Sequence, residues 1–108
     1  MEWHKDLYAG ESVRRRQRNV KWKIMHNAGQ LYVYVITLAS GESNLLDIIP
    51  SWELLQKHYP KSGLYVVGLA GSYREALELA GHIVNDVYKA TGGFDVKRYL
   101  KQRGKQDI

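Results

Sequence analysis

The sequence predicts an α/β domain: a small, mainly parallel sheet of three strands in β-α-β-α-β-α order, closed by a C-terminal helix. Three observations carry this. Leu64–Ala70 is a nearly unbroken apolar run rich in β-branched and aromatic residues, the pattern of a strand covered on both faces. Leu31–Ala39 repeats that character, and the two segments pair naturally. Small-residue turns also begin at Leu7, Leu38 and Leu69, 31 residues apart each time, which is about the length of a βα unit with its return.

In chain order, Asp6–Ala9 reads as a short first strand, and Gly10-Glu11-Ser12 turns it into a helix capped by Ser12. Residues 13–25 carry two patterns. As a helix, Val13, Gln17, Val20 and Ile24 share a face; as a strand, Val20–Ile24 alternates and buries Trp22. The arginines favour the helix, because they propagate one well and the segment is long. Ser40–Asn44 is a loop, and Leu45–Ile49 is a helical turn or a short strand interrupted by Pro50, which has no N–H to donate. Ser51 then caps a short helix over Trp52–His58.

The long helix starts with Ser72-Tyr73-Arg74-Glu75, a capping box in which Ser72 accepts from the Glu75 N–H while Glu75 reaches back. At 100° per residue, Tyr73, Ala76, Leu77, Ala80, Ile83, Val84, Val87 and Tyr88 form its buried face. Gly92-Gly93 ends it. Asp95 caps a last helix to about Gln102, with Phe94 and Tyr99 placed as a hydrophobic staple. The chain is expected to be one domain over residues 1–103 with a frayed tail at 104–108.

Tyr65-Val66-Val67-Gly68-Leu69-Ala70, Glu75-Ala76-Leu77-Glu78-Leu79 and Thr91-Gly92-Gly93-Phe94-Asp95-Val96 together resemble a group of short bacterial α/β proteins with no assigned activity. The resemblance covers the C-terminal half. It implies no catalytic residues.

Composition narrows the function classes. The absence of cysteine excludes disulfides and thiolate chemistry, and with no run approaching a membrane span it makes a cytoplasmic protein the expectation. Residues 1–27 carry seven basic and three acidic side chains, residues 28–93 four and six, and residues 94–108 five and two. The ends are basic and the body is not. There is no G-x-G-x-x-G, no Walker lysine and no nucleophile elbow, so catalysis by a familiar route is not expected. His4, His26, His58 and His82 never fall three or four apart, so no metal site or cofactor is expected either.

Two candidate sites remain. If the strands are parallel, their small-residue turns gather at one edge, where open α/β sheets bind ligands. Gly10, Ser12, Ser40, Gly41, Ser43, Gly71, Ser72 and Arg74 would then hold a small anionic, phosphate-bearing ligand through helix N-termini, hydroxyls and a guanidinium. The purely structural reading makes the same serines caps and the same glycines turns. The second site is the basic arm, six cations and no acid between Ser12 and Asn27. There Arg14, Arg15 and Arg18 would track RNA phosphates while Trp22 stacks on an unpaired base. Lys97, Arg98, Lys101, Arg103 and Lys105 would extend it if the last helix lay beside the first. Open sheet edges make a homodimer or a place in a larger assembly a third expectation.

Overall fold

The computed structural model describes residues 1–28, 32–41, 44–56 and 59–105. Four strands form one mixed sheet: β1 (Glu2–Ala9), β2 (Tyr34–Leu38), β3 (Leu46–Pro50) and β4 (Tyr65–Ala70), in the order β1-β4-β2-β3. A 3-10 turn (Arg14–Arg16) leads into α1 (Gln17–Met25), α2 (Ser51–Leu54) follows β3 directly, and α3 (Tyr73–Thr91) and α4 (Val96–Lys105) complete the chain. Among the described residues, no helix is long and apolar enough to cross a membrane.

The α/β class holds, but the predicted three-stranded parallel sheet does not. β1 and β4 are parallel; β2 runs antiparallel to β4 and to β3. The reason lies after Leu38, where the chain turns straight back into Leu46–Pro50 and forms a hairpin instead of a crossover helix. Pro50 is tolerated because β3 is an edge strand with an unpaired side. The first strand is also longer than its apolar part suggested, with Trp3, Leu7 and Ala9 packed on one face and His4 and Tyr8 directed to the other.

Both faces of the sheet are covered, as the apolar runs implied. One face joins Val33, Val35, Ile49, Val66 and Leu69 to Val13, Val20 and Ile24 of the arm and Leu54 of α2. The other joins Ile36, Leu38, Val67 and Ala70 to Ala76, Ile83 and Val87 of α3 and Val96 and Leu100 of α4. Val66 and Leu69 share a face although they are three positions apart, because the ladder slips where Ile36 pairs with Gly68 and Thr37 with Val66. Full burial of each of the valine, leucine and isoleucine side chains is worth roughly 1.5–3 kcal/mol.

After a turn at Val13, the 3-10 turn Arg14–Arg16 and α1 make this segment helical, with Val20 and Ile24 buried. Ser12 is not its cap; neither the 3-10 turn nor α1 has a side-chain cap. Nor does Ser51 cap α2. It is the first residue of that one-turn helix, and its hydroxyl accepts from the Val33 N–H at 3.1 Å while its own N–H donates to the Val33 carbonyl at 2.8 Å. His58, the expected end of this helix, lies outside the described residues. α3 begins and ends as predicted, with Ser72 accepting from the Glu75 N–H at 3.1 Å and Gly92 taking φ 75°, where glycine is nearly free of strain. Tyr73, Leu77 and Tyr88, expected on its buried face, are exposed instead: the buried stripe is centred on Ala76, Ile83 and Val87, which leaves Leu77 and Tyr88 at its far margin, and Tyr73 is the first residue of the helix. Asp95 caps α4, accepting from the Arg98 N–H at 3.2 Å, while Phe94 stacks on Tyr88 at 5.0 Å. α4 continues to Lys105, past the expected start of the frayed tail; 106–108 lie outside the described residues.

Candidate functional site

The antiparallel course of β2 divides the predicted ligand edge. Gly10 and Ser12 follow β1, and Gly71, Ser72 and Arg74 follow β4; since those strands are parallel, the five residues share one pole of the sheet. Ser40 and Gly41 follow β2 and stand at the opposite pole, beside Phe94–Lys97 in an open depression of about 420 Å³. Ser43 lies outside the described residues. A single site built from all three turns is therefore not formed.

At the shared pole the donors are already engaged. The Glu75 carboxylate accepts from the Gly71 N–H at 2.7 Å and from the Ser12 hydroxyl at 2.7 Å. These two bonds, the Gly71 N–H foremost, hold its pKa below the ordinary carboxyl range; a Ser12 N–H bond adds to them and desolvation opposes them. A Cβ on Gly10 would collide with that carboxylate, and one on Gly71 with the Ser12 hydroxyl. Glu75 thus occupies the space beside Gly10, and Ser12 the space beside Gly71. Glu75 does reach back, as a capping box requires, but to Gly71 and across to the other turn. It latches the two strand ends together.

The arm presents a different surface. Arg14, Arg15, Arg16 and Arg18 are exposed, and with Gln17 and Asn19 they line an open depression of about 500 Å³. Among the described residues, none of these four guanidiniums ion-pairs with a carboxylate. Lys21 is turned inward, its ammonium 5.2 Å from the Trp3 ring. Trp22 lies one turn beyond Arg18 and is 55% exposed. It makes the predicted projection away from the Val20 and Ile24 face, but its neighbour is His26, stacked at 4.3 Å and 19°, and not an arginine. The His26 Nδ1 donates to the Trp22 carbonyl at 2.8 Å, which fixes the ring over the indole. α4 does not extend this surface; it packs on α3 and β1, on the opposite face of the sheet from α1.

Two further groupings escaped the sequence. His4, Asp6 and Tyr8 of β1 line an open depression of about 520 Å³ with Asp86, Lys89 and Tyr99. Three of its polar groups are tied to the scaffold: the Tyr8 hydroxyl donates to Asp86 at 2.9 Å, and His4 Nδ1 lies 3.1 Å from the Tyr65 hydroxyl. The period-two placement of His4, Asp6 and Tyr8 was its one sequence signal. The second grouping is a chain of ring contacts, Tyr32 to Trp52 at 6.1 Å, Trp52 to Tyr34 at 5.4 Å and Tyr34 to Tyr73 at 5.8 Å. No local signal marks it, because three separate segments supply it. Among the described residues, no cluster of three or more histidine or acidic side chains could hold a metal. No protein family, curated protein or solved structure matches this chain.

Proposed function

We propose that this protein binds single-stranded RNA, or a similar unpaired polyanion, along the basic arm. The observation that carries the reading is the four exposed guanidiniums of Arg14, Arg15, Arg16 and Arg18, which have no carboxylate partner among the described residues. Concentrated cations repel one another and are favoured when an anion neutralises them. Their position reinforces this. They stand at the start of a helix, where the macrodipole is already positive and acidic residues are the stabilising choice. Trp22 adds a π face that a base can extend.

The small-anion reading has less support, because Glu75 holds the N–H and hydroxyl that such a ligand would need. A carboxylate already sits in the cradle.

Fluorescence anisotropy with a labelled 15-nucleotide RNA tests the proposal. Each phosphate neutralised on a single strand contributes about −0.7 to the slope of log K against log salt, so four contacts give about −3. Arg15→Glu is expected to weaken binding by about tenfold or more. No binding at low salt, or a slope near zero, would remove the proposal.

A further inference from the structure

We infer that the ring chain Tyr32–Trp52–Tyr34–Tyr73 is a second, base-stacking segment of the same nucleic-acid path, an inference that rests on the RNA reading of the arm. The ladder places it. Tyr34 pairs with Ala70 and with Pro50, so the start of β2, the end of β4 and the end of β3 meet at the pole where β1 ends and the arginine-bearing 3-10 turn begins. β1 and β3 flank this sheet three strand spacings apart, about 14 Å. Tyr34 belongs to the face that α3 covers and the arm to the other, so a strand leaving the arm at Arg14–Arg16 would reach the rings by crossing this end of the sheet.

The rings are presented for contact. Tyr32 is 68% exposed, Trp52 43% and Tyr73 53%, and they tilt against one another instead of closing into a core. Their support is rigid. Val33, between Tyr32 and Tyr34, is buried and tied to Ser51 by two hydrogen bonds, and Ser51 is the residue before Trp52. The Ser72 cap fixes the residue before Tyr73 in the same way. Exposed aromatic rings on a fixed frame suit the π faces of unpaired bases, and they cost little side-chain entropy on binding. Charge selects this occupant over an apolar one. Arg74 follows Tyr73 directly and is 91% exposed, sharing only a loose 3.9 Å contact with Glu78, and the arm arginines lie at the same pole. Phosphates would be met on both sides of the rings.

The test uses the full chain and the 15-nucleotide RNA. Trp52→Ala and Tyr73→Ala are each expected to weaken binding about tenfold, while Glu53→Gln, on the same short helix, binds as wild type. In the Trp3→Phe/Trp22→Phe double variant Trp52 is the sole indole, and its emission is expected to quench as RNA saturates the protein. Wild-type affinity in both ring variants, with Trp52 emission unmoved by bound RNA, overturns the inference and leaves the arm standing. Self-association abolished by Trp52→Ala, with RNA affinity intact, overturns it in favour of a protein contact. If the wild type binds no RNA, both readings fall together.

Discussion

α1 and α3 each follow one of the two parallel strands, start at the same pole and bury an apolar stripe on the sheet, yet their ends are built on opposite principles. α3 has a serine cap, an acidic residue in its first turn, a basic one in its last and a left-handed glycine to stop it. Each of those features stabilises a helix. The segment leading into α1 has no side-chain cap, no acid in its first turn and consecutive arginines where the helix dipole is already positive. Local stability is well served in one helix and opposed in the other. Departures from local consistency concentrate where something else is selected, and the departure here is positive charge on an exposed surface.

The largest effects should show where the helices are alike. Ile83→Ala in α3 and Ile24→Ala in α1 each remove a fully buried side chain and should cost about 2–4 kcal/mol in chemical unfolding. A much smaller loss for Ile24 would mean that α1 is only loosely docked, and the comparison would lose its footing.

Next comes the latch. Glu75→Ala leaves the Gly71 N–H and the Ser12 hydroxyl without their acceptor and should cost about 1–2 kcal/mol. Glu11→Ala, at an exposed carboxylate in the partner turn, should stay within about 0.5 kcal/mol. The latch also has a pH signature. Because its folded-state pKa lies below the ordinary value of 4.5, Glu75 contributes stability in full above that pH and loses it as pH falls through the depressed folded value. Glu75→Gln, which keeps an acceptor but does not titrate, should flatten that part of the acid limb of a stability-versus-pH curve. An unchanged limb would show that the carboxylate is not held as described.

The contrast between the helices also marks what could be read in advance. The β4–α3 unit was legible because its signals are local: an apolar run, a serine three residues before a glutamate, two glycines at the end. Strand direction was not. Gly-Glu-Ser occurs after both Ala9-type and Ser40-type turns, but one is followed by arginines that propagate a helix and the other by Leu45–Pro50, which folds back as a hairpin. The shared tripeptide says nothing about which pole it will occupy. The candidate ligand edge is divided for that reason, and Glu75, which occupies one of its halves, was read only as part of a cap. The arm was legible as charge. The ring chain was invisible, since residues 32, 34, 52 and 73 meet only once the sheet order is known.

The smallest stability effect belongs to the arm, and there the comparison can be decided. Replacing Arg14, Arg15, Arg16 and Arg18 together by alanine removes charge from the wrong end of a helix without touching the core. RNA affinity and Tm should be measured on the same preparation. Affinity for the 15-nucleotide RNA is expected to fall by about 100-fold or more while Tm holds or rises by about 2–5 °C. Undiminished RNA affinity, or a Tm that falls along with it, would contradict the claim that these arginines are held against the helix for the sake of an anionic partner.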